Sequence, residues 1–176
     1  MPINCAGGLS HRPEELSWPL GLAMRGFSWL ANAPLVGPLL FDRIRQPGHI
    51  RRTLQQVYGD RDAVTDELVE LIRRPACYPG AQQVFASVLA APPGPKPSEL
   101  LPRVRAPLLV LWGDADPWTP ISSAHHYREL SERRADVTFQ TTAGAGHCCH
   151  DECPERVNAC LLDWLQRTLS LRSQSP

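Results

Sequence analysis

A chain of 176 residues, 43% hydrophobic and 20% charged, is long enough for a sizeable core and ordinary in composition for a globular protein, which excludes a chain disordered throughout. Eighteen Lys plus Arg balance eighteen Asp plus Glu at a formal net charge of zero, so no basic field holds nucleic acid or an acidic membrane by charge, and no nucleic-acid partner is expected. No apolar run reaches the roughly 18 to 20 residues that cross a bilayer, and MPINCAGGLSHRPEE lacks the basic region and apolar core of a secretory signal, so no membrane span is expected.

Residues 1–10 read as the tail of a core strand, Ile3 to Ala6, followed by a Gly7-Gly8 turn. A chain opening on a strand's end is expected to be the later part of a longer protein. Residues 11–91 read as helical pieces cut by Pro13, Pro19, Pro34, Pro38, Pro47, Pro75 and Pro79, each of which removes an amide donor and disfavours helix before it. Trp18, Leu20, Leu22, Met24, Phe27, Trp29 and Leu30 carry more apolar surface than one helix face needs, as a cap over a pocket would. The clearest helix here follows Thr65, with Asp66 and Glu67 in its first turn, an apolar stripe of Leu68, Val69, Leu71 and Ile72, and Arg73 and Arg74 before Pro75. A further helix over Gly80–Ala90 is expected to carry Val84, Phe85, Val88 and Leu89 on one side. Arg43, Arg45, Arg51 and Arg52 read as solvated helix faces, with Asp42, Asp60 and Asp62 near in sequence.

Four prolines between Ala91 and Glu99 read as a stiff connector, placing a linker at 92–99 and a second folded region at 100–176. There, LLVLW after Pro107 is a strand covered on both faces, as in a parallel sheet. Ser122–Arg134 reads as a helix capped by Ser122 with Tyr127 and Leu130 facing inward, and Asp136–Thr142 alternates as a strand. Strand, helix, strand in that order is a crossover unit with two parallel, adjacent strands. Glu155–Leu171 closes the chain as an amphipathic helix with Pro154 at its start and Val157, Cys160, Leu161, Trp164 and Leu165 on its buried stripe.

Each predicted strand delivers a loop at its C-terminal end, GDADPWTP and GAGHCCHDE, so Asp116 and His147 are expected on one rim of the sheet. A carboxylate that accepts an imidazole Nδ1–H fixes the tautomer and steadies the imidazolium formed when the other nitrogen takes a proton, and imidazole ordinarily titrates near neutrality. Asp116 is the expected acid, because Asp114 follows the Gly113 turn directly and reads as a turn-former, whereas Pro117 rigidifies the backbone beside Asp116. Gly144 and Gly146 are expected to let the base loop approach other backbone closely. Trp118 reads equally as a pocket wall or a loop anchor, and His11, His49, His125, His126 and His150 read as surface or helix-face residues. Six spread cysteines are expected to be reduced thiols, and His147, Cys148, Cys149, His150 and Cys153 lack a second ligand pair, so no metal or cofactor is expected.

With INCAGG, VYGDRDAVTDELVELIRRPA, PPGPKP, LVLWGDADPWTP and GAGHCCHDECPERV, the chain resembles the C-terminal half of plant and algal α/β-hydrolase-fold proteins of the pheophytinase-like and haloalkane dehalogenase or epoxide hydrolase-like group. The resemblance implies an α/β fold: the C-terminal portion of the hydrolase core, parallel strands with flanking helices, plus a helical cap over 11–91. It implies Asp116 as triad acid, His147 as general base and a chloroplast location, with a cytoplasmic one otherwise; the acid, the base and the apolar cap together point to a serine-type reaction on a small-molecule ester of bulky apolar character. The family's nucleophile sits on a G-x-S-x-G elbow before the cap. No such motif occurs here, and GFSWL around Ser28 lacks the second Gly. The chain alone is therefore expected to be inactive and to depend on a missing N-terminal half. An Asp nucleophile there would shift the chemistry to epoxide or carbon–halogen hydrolysis. The alternative is a noncatalytic binding module that kept half of the fold and uses its apolar cap as a contact surface.

Overall fold

The two strands lie side by side in a parallel pair, β1 (Leu108–Gly113) and β2 (Val137–Thr142), in register from Leu108 opposite Val137 to Gly113 opposite Thr142. The computed structural model describes residues 1–5, 18–91, 94–95 and 97–173. The Gly7-Gly8 turn, His11, Pro13 and part of the 92–99 linker lie outside the described residues.

Every residue of β1 is buried, which accounts for its unbroken apolar run. Leu108, Val110 and Trp112 face Leu101, Ala124, Tyr127 and Val137, whereas Leu109 and Leu111 face Ala145, Cys149 and Val157. Alternation of side chains across a strand sends the two sets to opposite faces, and each buried side chain contributes about 1.5–3 kcal/mol. On the edge of β1 away from β2, residues 2–4 pair through Ile3 and Leu111: Leu111 donates to Pro2 O at 3.0 Å, and Asn4 donates to Leu111 O at 3.0 Å. The expected strand tail is thus a short parallel bridge.

The crossover from β1 to β2 runs through α6 (His125–Arg133), entered by a 3-10 turn at Ile121–Ala124. Ser122 lies inside that turn, and Ala124, without a side-chain cap bond, precedes α6, so the expected Ser122 cap is replaced by a tighter entry after Pro120. The final helix, Pro154–Ser173, buries Val157 and packs Cys160, Leu161 and Trp164 on the same cluster, while Leu165 stands outside its stripe and is exposed.

Described residues 1–5, 55–63 and 97–173 form one compact unit, and 18–54 with 64–91 and 94–95 a second. Residues 55–63 fall within the range expected for the cap and fold with the first unit, where Val57 and Tyr58 are buried. The second unit holds α1 (Trp18–Asn32), α2 (Val36–Ile44), most of α3 (Pro47–Val57), α4 (Asp66–Arg73) and α5 (Ala81–Ala90). Its core includes Ala31, Phe41, Val64, Val69 and Ala86, with the rings of Phe41 and Phe85 5.4 Å apart.

Thr65 caps α4 as expected, accepting from Leu68 N at 3.1 Å. The expected α4 stripe holds in buried Val69 and half-buried Leu68: Leu71, two residues after Val69, points nearly opposite along a helix and is exposed, and Ile72 is exposed as well. In α5 the buried face runs through Ala86, so Val84 and Val88 lie outward. Arg45 pairs with Asp42 at 2.5 Å, and Arg51 with Asp66. Ser28 sits inside α1 with its hydroxyl on Leu89 O at 3.2 Å, part of a helix contact. Trp18, Trp29, Leu35 and Leu39 are all more than 70% exposed, so this unit carries far more apolar surface than its own core uses. Among the described residues no helix is long and apolar enough to cross a membrane.

Candidate active site

Parallel pairing brings the ends of β1 and β2 to one rim, and the two loops close on each other through backbone and side chain. Asp114 N donates to Thr142 O at 3.2 Å, Ala115 N to Ala145 O at 3.0 Å, and Gly144 N to Asp114 Oδ1 at 2.7 Å. Asp114 is therefore a loop-to-loop tie as well as a turn residue. The acid loop is bent back on its strand by the indole N–H of buried Trp112, which donates to Thr119 O at 2.9 Å.

Asp116 and His147 meet: Nδ1 lies 2.7 Å from Oδ2, with the carboxylate wholly buried and the imidazole one-third exposed. Trp118 N and Thr119 N donate to Oδ1 at 2.8 and 2.9 Å, and Asn4 Nδ2 donates to Oδ2 at 2.7 Å. The Thr119 hydroxyl also donates to Oδ2 and lies 3.2 Å from His147 Nδ1. Burial alone would raise the Asp116 carboxyl, but the bonds from Thr119, His147 and Asn4 outweigh it and hold it below its ordinary value. An ionised carboxylate only accepts, so Nδ1 carries the proton and Nε2 is the lone-pair nitrogen. The indole of Trp118, half exposed, lies 6.1 Å from the imidazole centroid to centroid.

The base loop is fixed from a second side by the segment 57–60. His147 N donates to Val57 O at 2.8 Å, and the Glu152 carboxylate accepts Gly59 N at 2.8 Å, Asp60 N at 3.2 Å and Gly146 N at 3.0 Å. Tyr58 donates to Asp151 Oδ2 at 2.6 Å, and burial foremost, then that bond, pushes its phenol far above the usual range. A Cβ on Gly146 would lie 2.3 Å from Val57 O and 2.4 Å from Gly59 N, so the expected close approach is made there. Gly144 differs: nothing crowds it, and a φ of +74° is what demands glycine.

Of the remaining expectations, Cys149 is buried and donates to Asn4 Oδ1 at 3.4 Å, and burial pushes its thiol up to about 11. All six cysteines are free, and among the described residues no three His, Cys, Asp or Glu converge as a cation cage. His125 and His150 are exposed, but His126 stacks 4.2 Å from the Tyr127 ring with Nε2 buried and without a hydrogen-bond partner among the described residues. Asn4, Thr119 and Glu152 are the site residues that sequence reasoning passes over. For Asn4 the available signal was a polar side chain inside an otherwise strand-like INCA.

A sequence model of the Alpha/beta hydrolase family matches residues 3–160. Over 133 residues the chain is 30% identical to the chloroplastic pheophytinase of Arabidopsis thaliana, covering 73% of this chain and 27% of that protein. The fold is similar to a thermophilic esterase from Thermogutta terrifontis (TM-score 0.59, 22% identity, 94% of this chain and 54% of that one). It is likewise similar to the 2-hydroxy-6-oxo-6-phenylhexa-2,4-dienoate hydrolase of Rhodococcus sp. strain RHA1 (TM-score 0.58, 16% identity, 93% and 53%). A meta-cleavage product hydrolase from Pseudomonas fluorescens IP01 aligns at TM-score 0.55 with 23% identity, over 69% and 46%. The chain thus spans about a quarter of the pheophytinase and about half of these solved relatives.

Proposed function

The chain belongs to the alpha/beta hydrolase family, and from that premise we propose that Asp116 and His147 are the acid and general base of a serine-type hydrolase acting on an ester of a bulky apolar molecule. The observation that carries this reading is the 2.7 Å contact from His147 Nδ1 to a buried, multiply hydrogen-bonded carboxylate, which leaves Nε2 as the proton-accepting nitrogen. The nucleophile and the oxyanion donors come from a part of the protein outside these 176 residues, and the chain by itself is inactive. Ser28 is not the nucleophile, since its hydroxyl is engaged within the helical unit.

In the complete site the serine oxygen attacks the ester carbonyl as Nε2 takes its proton. Asp116 steadies the imidazolium, which then protonates the departing alkoxide, and water repeats the sequence on the acyl-enzyme. The helical unit acts as the cap, and exposed residues such as Trp18 and Trp29 support the preference for an apolar substrate. The similarity to a chloroplastic protein supports a chloroplast location.

The test is to read the genomic sequence upstream of Met1, express whatever strand and nucleophile elbow precede it with residues 1–176, and assay a series of p-nitrophenyl esters. Hydrolysis is expected only with both parts present and is expected to fall about 10²–10⁴-fold in His147→Ala. A stable, soluble complex whose activity is unchanged by His147→Ala, or which has none, overturns the reading. Cooperative unfolding of residues 1–176 alone, with no coding sequence upstream, favours the noncatalytic module instead.

A further inference from the structure

Asn4 is the one non-glycine residue with positive φ among the described residues, at +43°, and its side chain is almost wholly buried. Asparagine is enriched in that conformation, so a backbone role alone would account for its presence. It does not account for what the amide does. Oδ1 accepts from Gly113 N at 3.0 Å and from the Cys149 thiol at 3.4 Å. A backbone N–H can only donate, so the carbonyl end must face Gly113 and the NH2 end must face Asp116 Oδ2, 2.7 Å away. The main chain of Asn4 is tied too, donating to Leu111 O at 3.0 Å.

The donors to Asp116 divide by origin. Trp118 N, Thr119 N and the Thr119 hydroxyl belong to the acid's own loop and move with it, whereas Asn4 reaches it from a segment 112 residues away. Carboxylate torsions are broad and two-fold, so donors riding on the same loop do not by themselves fix the plane of the carboxylate relative to the sheet. An amide anchored to Gly113 at the end of β1 does.

We propose that Asn4 is a positioning residue of the acid–base pair, whose amide locks the Asp116 carboxylate so that Oδ2 is presented to His147 Nδ1. The inference rests on the reading of Asp116 and His147 as acid and base, but the orientation itself is measurable without catalysis.

The experiment uses the two-part protein, residues 1–176 together with the upstream part, and NMR of the His147 ring: the Nδ1–H resonance, its exchange with water, and the ring tautomer from nitrogen shifts. Asn4→Gly accepts the +43° backbone without a Cβ while removing the amide. If Asn4 serves the backbone only, that variant leaves the ring signals alone. A positioning role is expected to speed Nδ1–H exchange by about tenfold or more, a loss of order in the bond corresponding to about 1.4 kcal/mol. Asn4→Asp, close in shape, places a second carboxylate against Asp116 and is expected to abolish the protected Nδ1–H signal near neutral pH through proton sharing between the two acids. Exchange within twofold of the parent in whichever of the two variants folds overturns the proposal. So does failure of both to fold, since the side chain would then be a requirement of the fold itself. In the two-part enzyme, Asn4→Gly is expected to lower kcat and spare KM. An inactive parent enzyme with the NMR response intact overturns the hydrolase reading and leaves the orientation of Asp116 by Asn4 standing.

Discussion

Replacing Asp116 with Asn keeps the shape of the side chain and removes its charge. Oδ1 accepts two backbone amides, from Trp118 and Thr119, and Oδ2 accepts Asn4, the Thr119 hydroxyl and His147. An amide offers one acceptor oxygen, so one set must face an NH2. The less costly arrangement keeps the two backbone amides and turns the Thr119 hydroxyl into an acceptor, leaving Asn4 Nδ2 facing a donor. His147 adapts by moving its proton to Nε2, so that Nδ1 becomes the lone-pair nitrogen. An unsatisfied buried donor costs about 1–3 kcal/mol and a lost charge-assisted bond about 1.5–3 kcal/mol. Because His147 is one-third exposed, the sum is expected in the range of about 3–5 kcal/mol that breaking a buried pair costs, toward its lower end. Urea unfolding of Asp116→Asn at pH 7, with nitrogen NMR of the ring, measures both effects. The parent's carboxyl is held below its ordinary value in the folded state, so in the acid range the unfolded chain binds more protons than the folded one. This contribution is complete above about pH 4–5 and is lost as pH falls through the lower folded value, so the parent and variant curves converge in acid. A variant within about 0.5 kcal/mol of the parent at pH 7, the ordinary scale of an inert substitution, with His147 still protonated on Nδ1, would refute this account.

Glu152→Gln leaves a single acceptor for the amides of Gly59, Asp60 and Gly146, so a loss of about 1.5–3 kcal/mol is expected, with faster amide hydrogen exchange at Gly59 and Gly146. Gly146→Ala forces a Cβ to within 2.3 Å of Val57 O; backbone must move, and about 1–3 kcal/mol of destabilisation is expected together with loss of protection at His147 N. Thr65→Ala removes the cap of α4 and is expected to cost about 1 kcal/mol in urea, with faster hydrogen exchange at Leu68 N.

What was legible in the sequence is what local pattern encodes. LLVLW could only be a strand covered on both faces, DVTFQTT followed at crossover distance, and two strands in parallel must deliver their following loops to one rim, so Asp116 and His147 came together as expected. What escaped is carried by contacts that no local period records. Asn4 meets Asp116 across 112 residues, and Glu152 meets Gly59 across 93. The misread faces of α4 and α5 have a related cause: in short helices with apolar residues on several sides, packing chooses the inner face, and it chose Val69 and Ala86. Ser122 met the composition of a cap but not the geometry, because the chain after Pro120 enters as a 3-10 turn.

Four carboxylates stand in the two loops; Asp151 accepts the Tyr58 hydroxyl, and the partners of the other three explain why only Asp116 faces the His147 ring. Two residues apart on a strand the two side chains would share a face, but β1 ends at Gly113 and the chain turns, so Asp114 and Asp116 take different partners. Asp114 takes Gly144 N and so ties the acid loop to the base loop, while Glu152 takes Gly59, Asp60 and Gly146 and ties the base loop to the segment before it. Both bind main-chain amides and therefore set where His147 stands. Asp116 takes main-chain amides on one oxygen only and turns the other to the imidazole, the Asn4 side-chain amide and the Thr119 hydroxyl, with the carboxylate wholly buried. Water competes little for that oxygen, while the imidazole beside it keeps a third of its surface exposed. The two scaffold acids thus tie the loop that carries His147 to its neighbours, and a third segment, through Asn4, reaches the buried Asp116 oxygen that faces the ring.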